Sequence, residues 1–219
     1  LRAAGALAAL SSRNVTYRNA IYEAGAIPPL VRQLGDGLRV ENDTPQERAA
    51  CVLADLARSG DSKEDIVAAG GVLPLVRMLG SASHKAQTAA CVVMCHLACN
   101  GEYKIEIVIS GGIKRLVEVL ATENREARRP ATGALAQLAD CSENKMEIVQ
   151  NNGIPLLVQV MRDDPQTQES AVEVLAELAK SKLPQKQAIV AVGGIEVICQ
   201  ALKEGTAGAQ KFAAAATWG

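Results

Sequence analysis

The sequence predicts an all-α fold, a right-handed α-solenoid of three-helix repeats with a period of about 41 residues. Three observations carry this prediction. Apolar residues make up 48% of the chain but aromatic residues only 2%, so Ala, Leu, Val and Ile must fill the core, which suits closely packed helices. A glycine-led phrase recurs at a nearly fixed spacing. Within each phrase, the apolar residues follow the periodicity of a helix.

The recurring phrase begins at five positions: Gly25, Gly70, Gly111, Asn152 and Gly193. These starts lie 45, 41, 41 and 41 residues apart, which is a fixed period with one four-residue insertion. The insertion is predicted between Leu34 and Thr44, where Gly-Asp-Gly and Asn-Asp favour a turn. We therefore expect a longer loop between the second and third helices of that repeat than elsewhere.

Each phrase is predicted to form the second helix of a repeat. Ile27, Leu30, Val31 and Leu34 fall on one helical face, and the same spacing returns in the other four phrases. The equivalent leucines are predicted core residues: Leu30, Leu75, Leu116 and Leu157. A short first helix precedes each phrase and carries one basic residue: Arg18, Lys63, Lys104, Lys145 or Lys186. We interpret these cations as contacts to the carbonyl end of the preceding third helix, with an anion-binding track as the alternative.

An alanine-rich third helix follows, and its Leu-Ala end also recurs with the repeat. Its alanines allow close approach of neighbouring helices. In one repeat Pro130 stands five residues after the expected helix start, and an interior proline removes a backbone hydrogen bond. We therefore predict a kink or break, with 125–129 in a separate turn and the main helix starting at Pro130.

The phrase Ala24-Gly25-Ala26-Ile27-Pro28-Pro29-Leu30-Val31, followed by an alanine-rich helix, resembles the armadillo repeat family. HEAT repeats share the period but have two helices and lack this turn. The array is expected to cover 1–219 as a partial repeat, four full repeats and a second partial repeat: 1–14, 15–60, 61–101, 102–142, 143–183 and 184–219. Because neither end has the polar cap that a solenoid needs, we expect part of a longer chain or ends covered by partners.

The resemblance implies a non-enzymatic protein-binding module whose third helices line a concave groove for an extended peptide. A stripe at i, i+4 and i+8 of each third helix is the candidate groove: Glu47, Cys51 and Asp55; Thr88, Val92 and His96; Arg129, Gly133 and Gln137; Glu169, Glu173 and Glu177. The Trp–Asn pairs of importin-alpha-like proteins and the basic groove of beta-catenin-like proteins are missing from these positions. The ligands of those proteins therefore do not transfer to this chain.

Two functions stay open: an adaptor that binds a disordered peptide, and a structural subunit fixed inside a large assembly. The carboxylates of Glu169, Glu173 and Glu177 predict a partner that is basic at the C-terminal end of the groove, with His96 and Gln137 as polar contacts further along. A solvated helix face is the alternative interpretation of this acidic stripe.

Other functions find little support in the sequence. A formal charge of −1 disfavours nucleic-acid binding, and no 18-residue apolar run predicts a membrane span. Cys91, Cys95 and Cys99 stand beside His96, but the outer two are about 12 Å apart on a helix, so core packing is favoured over a metal site. No catalytic motif or cofactor is predicted. Scattered cysteines, interpreted as reduced, indicate the cytoplasm, with the nucleus as the alternative; the start at Leu1 leaves open a targeting segment removed upstream.

Overall fold

The computed structural model describes residues 2–12, 14–35, 44–180 and 183–218. Within these ranges the chain forms sixteen α-helices and no strand. The helices are α1 (Arg2–Ser11), α2 (Val15–Glu23), α3 (Ile27–Leu34), α4 (Pro45–Leu56), α5 (Gly60–Ala68), α6 (Val72–Met78), α7 (His84–Leu97), α8 (Gly101–Ile109), α9 (Gly112–Leu120), α10 (Arg125–Leu138), α11 (Ser142–Gln150), α12 (Gly153–Asp163), α13 (Gln168–Ala179), α14 (Leu183–Ala191), α15 (Gly194–Glu204) and α16 (Ala207–Trp218).

The helices follow the predicted order of first, second and third helix. After a leading third helix, α1, five successive triplets begin at α2, α5, α8, α11 and α14. The predicted all-α fold of three-helix repeats is confirmed. No helix among the described residues combines the length and the apolar character needed to cross a membrane.

The chain divides into two compact units, which we call unit 1 (residues 1–115) and unit 2 (residues 116–219). In unit 1, α4 packs against α1, α3 and α7. In unit 2, α13 packs against α10, α12 and α16. Each unit thus has one third helix enclosed between two others, and this arrangement positions the candidate site.

The core leucines lie where the repeat pattern predicts. Leu30 is 3% exposed, and Leu75, Leu116 and Leu157 are fully buried, so this prediction is confirmed. The alanines of the third helices are buried among them, including Ala50, Ala90, Ala134 and Ala171. Small side chains at these positions let neighbouring helices pack closely, as the scarcity of aromatic residues requires.

The glycine pair between first and second helices serves two distinct purposes. Gly111 takes a left-handed φ of 77°, which glycine adopts without steric cost. A Cβ on the next residue, Gly112, would lie 2.5 Å from Ile107 Cγ2 and 2.7 Å from the Ile107 carbonyl oxygen. The second glycine therefore allows the turn to pack against the recurring isoleucine of the first helix.

The predicted break at Pro130 is wrong, because α10 runs unbroken from Arg125 to Leu138. The proline removes only the hydrogen bond to the carbonyl of Glu126, which lies in the exposed first turn. That turn is held independently, since Ala127 N donates to Asn124 O at 3.2 Å and the Arg128 guanidinium donates to Thr122 O at 2.9 Å. The insertion predicted after Leu34 falls on residues 36–43, outside the described residues.

Candidate partner-binding surface on the third helices

In α4, α7, α10 and α13, the C-terminal part of the third helix is buried on most of its circumference and reaches solvent along one line. Within 171–179 of α13 only Glu173 and Glu177 are not buried, and within 131–139 of α10 only Gly133 and Gln137 are not. Unit 1 repeats this arrangement on α4, while on α7 Cys95 is half-buried in addition to Val92 and His96. We call these eight residues the third-helix stripe: Cys51, Asp55, Val92, His96, Gly133, Gln137, Glu173 and Glu177. They occupy the second and third positions of the predicted groove.

The first position of the predicted groove does not belong to this line of solvent-accessible residues, and the prediction that Glu47 lies in the groove is wrong. Its side chain is 3% exposed, and its Oε2 accepts a hydrogen bond of 2.5 Å from Ser83 Oγ. Ser83 is the N-cap of α7, and its Oγ also accepts from Ala86 N at 3.2 Å. The start of α7 therefore covers the first turn of α4, and Glu47 links two repeats instead of facing a ligand.

Glu169 makes the same kind of link in unit 2. Thr206 Oγ1, just before α16, donates to Glu169 Oε2 at 3.0 Å, and the Glu169 carboxylate contacts Gly208. The side chain stays exposed. Thr88 is half-buried and Arg129 is exposed at the equivalent positions. In α4 and α13, the first groove position thus joins adjacent third helices.

Glu177, the last stripe residue of α13, is engaged by two lysines. Its Oε2 lies 3.3 Å from Lys145 Nζ, and its Oε1 accepts from Lys180. Burial alone would raise the pKa of Glu177, but the hydrogen bonds and charges of both lysines outweigh it and lower that pKa. Lys145 was expected to contact helix carbonyls, and the structure places it on this carboxylate instead.

Glu173 lies between these two engaged carboxylates on the same face of α13. Within the described part of the chain it forms no hydrogen bond or ion pair. Its burial raises its pKa, and the charges of Glu177 and Glu169 raise it further, against a smaller opposing effect of Lys180. Among the stripe residues of unit 2, Glu173 is therefore a half-buried carboxylate whose charge is left uncompensated.

The stripe of unit 1 has a different character. Asp55 Oδ2 accepts from Ser11 Oγ at 2.7 Å, and the Ser11 carbonyl accepts from Arg18 Nη1 at 3.2 Å. The expected contact between the basic residue and a helix carbonyl is thus present at Arg18. At the next repeat His96 is half-buried, and burial, Lys63 and Arg58 lower the pKa of its imidazole, so His96 is neutral at physiological pH.

The cysteines of α7 have three separate environments. Cys91 is fully buried, and burial raises the pKa of its thiol, with a smaller contribution from Cys95. Cys95 is half-buried, while Cys99 is exposed and its Sγ donates to Cys95 O at 3.4 Å. Among the described residues, no group of three or more metal-ligating side chains is arranged to hold an ion.

The third-helix packing, the glycine turn and the exposed stripe together define an armadillo repeat protein. The model of the plant U-box protein ARM repeat region matches residues 7–215, and the chain belongs to this armadillo repeat family. The resemblance seen in the sequence is therefore confirmed. No curated protein matches the chain significantly.

Solved structures with the same fold include engineered proteins. One, described as an engineered protein, is 32% identical, with 98% of this chain and 87% of that chain covered and a TM-score of 0.81. A designed armadillo repeat protein is 24% identical, with coverages of 96% and 88% and a TM-score of 0.81. Another, solved in complex with peptide (KR)4, is 24% identical, with coverages of 99% and 91% and a TM-score of 0.79.

Proposed function

We propose that this chain is a non-enzymatic protein-binding module that holds extended segments of a partner along the third-helix stripe within each unit. We further propose that a lysine or arginine of this partner lies against Glu173. The observation that carries the proposal is the state of Glu173, a half-buried carboxylate without a counter-charge among the described residues. It is the second of three carboxylates spaced four residues apart, and its two neighbours are already engaged.

An uncompensated carboxylate in this position favours a basic ligand on physical grounds. Like charges at i and i+4 destabilise a helix by about 0.2–0.5 kcal/mol per pair, and a cation from a partner would relieve that repulsion. The pKa of Glu173 would fall on binding, because an opposite charge nearby stabilises the ionised form. A partly exposed ion pair of this kind contributes up to about 1 kcal/mol. It therefore adds more to the specificity for a basic partner than to the total binding affinity.

The comparison structures support this assignment. A designed armadillo repeat protein was solved in complex with peptide (KR)4, a lysine–arginine sequence. The same fold can therefore hold a basic peptide. At 24% identity that complex is a parallel in fold, and the position of the basic residue on this chain rests on Glu173 itself.

The test is the binding of a fluorescently labelled lysine–arginine octapeptide, measured by anisotropy across a series of salt concentrations. Glu173→Gln should weaken binding by about two- to fivefold at low salt, because it removes one charge contact. The difference should shrink as salt screens the interaction. Glu143→Gln, an exposed change of the same charge on α11, is the matched control and should have little effect. Equal affinities for both variants at every salt concentration would contradict the proposal.

A second candidate function is that of a structural subunit in a larger assembly. One observation favours it: Ile105 and Ile109, four residues apart on α8, are 66% and 78% exposed. Exposed apolar side chains on one helical face are typical of a contact surface. Ile105→Glu together with Ile109→Glu should disrupt co-purification with an assembly if this surface carries the function, and should leave the octapeptide affinity unchanged.

A further inference from the structure

In unit 1, the two positions equivalent to the Lys145–Glu177 ion pair carry a lysine but no carboxylate. Lys145 lies on the first helix of its repeat and Glu177 at the last stripe position of the third helix, with 3.3 Å between Nζ and Oε2. Two repeats earlier, the same two positions are Lys63 on α5 and His96 on α7. An imidazole therefore stands where unit 2 has a carboxylate, and Lys63 lacks the counter-charge that Lys145 has.

A second cation adds to this imbalance. Arg58 follows α4 at the position that Asp140 occupies after α10, so an acidic residue is replaced by a basic one. Lys63 and Arg58 both lie close enough to His96 to lower the pKa of its imidazole, in addition to the effect of burial. Lys63 of repeat 61–101 and Arg58 at the end of the preceding repeat thus bring two positive charges close to the neutral imidazole of His96.

Among the described residues, no carboxylate of α5 forms an ion pair with Lys63 or Arg58. Asp61 lines the same pocket as Arg58. Asp65, Asp61 and Glu64 raise the pKa of Tyr22 on α2, after the larger effect of burial, and Glu64 also raises the pKa of Tyr103 on α8. Asp55 is held by Ser11. Within the described ranges, Lys63, Arg58 and His96 form no hydrogen bond or ion pair. The positions that hold an ion pair in unit 2 therefore hold an open cationic site in unit 1.

We propose that Lys63, together with Arg58 and His96, binds an aspartate or glutamate side chain of a protein partner. The carboxylate would occupy the place that Glu177 takes beside Lys145, with Lys63 as its ion-pair partner and His96 as a hydrogen-bond donor. This site deepens the proposed function and rests on it, because the ligand is again a partner segment, here one that lies along the stripe residues of unit 1. The partner residue is acidic here, whereas the residue at Glu173 is basic.

The first test needs no ligand. His96→Glu restores the carboxylate of unit 2 and should raise the melting temperature by about 1–3 °C, whereas His96→Gln should not. Lys63→Met should abolish the gain in the double variant His96→Glu/Lys63→Met. An equal gain with and without Lys63 would overturn the proposal, because the site would then not hold a carboxylate beside Lys63.

The second test uses a labelled octapeptide of alternating glutamate and glycine. Lys63→Met and His96→Glu should each weaken its binding about tenfold at low salt, while Lys203→Met, an exposed lysine of α15, should change it less than about twofold. Equal losses for Lys63→Met and Lys203→Met would overturn the proposal in favour of unspecific charge attraction. Tighter binding of the same peptide with phosphoserine in place of glutamate would overturn the choice of a carboxylate.

Failure of this site and failure of the proposed function give different results. If only the acidic site is wrong, the lysine–arginine octapeptide still depends on Glu173 while the acidic peptide is insensitive to Lys63. If the proposed function is wrong, Glu173→Gln has no effect, and the melting temperatures of the His96 variants still report on the ion pair with Lys63.

Discussion

Ser83 Oγ donates a hydrogen bond of 2.5 Å to Glu47 Oε2, and this bond joins the N-cap of α7 to the first turn of α4. Thr206 and Glu169 form the equivalent bond between α16 and α13. In repeat proteins, stability depends strongly on the interfaces between neighbouring repeats. A buried carboxylate that loses one of its hydrogen-bond donors is less well compensated for the cost of its desolvation.

Ser83→Ala should therefore lower the free energy of unfolding by about 1–3 kcal/mol, as measured by urea denaturation. Ser12→Ala, which removes an exposed hydroxyl hydrogen-bonded within its own helix region, serves as the control. A similar small loss in both variants would show that the contact between Glu47 and Ser83 is not a stabilising link between repeats.

Two leucines of the same short helix should respond very differently to truncation. Leu75 is fully buried, whereas Leu73, on the same helix α6, is 42% exposed. Leu75→Ala should cost about 2–5 kcal/mol through lost burial and a residual cavity, while Leu73→Ala should cost about 1 kcal/mol or less. Denaturant midpoints measure the difference. Comparable costs would contradict the repeat alignment.

The second glycine of the turn should not tolerate a methyl group. Gly112→Ala forces the new Cβ against Ile107 and should destabilise the fold by about 1–3 kcal/mol. Gly101→Ala is the matched control, because a Cβ at the start of α8 meets nothing within 4 Å. That variant should be neutral or slightly stabilising, since it reduces the freedom of the unfolded chain. Thermal unfolding of both variants measures this difference in stability.

The raised pKa of Glu173 predicts a pH-dependent effect on stability. A carboxyl whose pKa is higher in the folded state favours folding when protonated, and this contribution is lost as the pH rises through its titration range. Glu173→Gln should therefore stabilise the fold at neutral pH by about 0.2–0.5 kcal/mol. The gain should vanish below the ordinary glutamate pKa of about 4.3. A gain that is independent of pH would show that charge repulsion is not its cause.

The sequence predicted the repeat, the core leucines and the stripe because each depends on helical periodicity within one repeat. The prediction that Glu47 lies in the groove is wrong, because periodicity does not show that the next repeat covers the first turn of α4. The break predicted at Pro130 does not occur for a related reason, since contacts of Arg128 and Asn124 hold the first turn of α10. The engagement of Glu177 by Lys145 depends on packing between the first and third helices of the same repeat, which spacing alone does not give.

The central claim is that a partner contacts the third-helix stripe, and amide NMR during titration with the lysine–arginine octapeptide tests it most directly. In unit 2, chemical-shift changes should concentrate at Gly133, Gln137 and Glu173, because these residues line the exposed face of α10 and α13. The amides of α11 around the exposed Met146 should not shift. Changes centred on α11, with the stripe unaffected, would contradict the account.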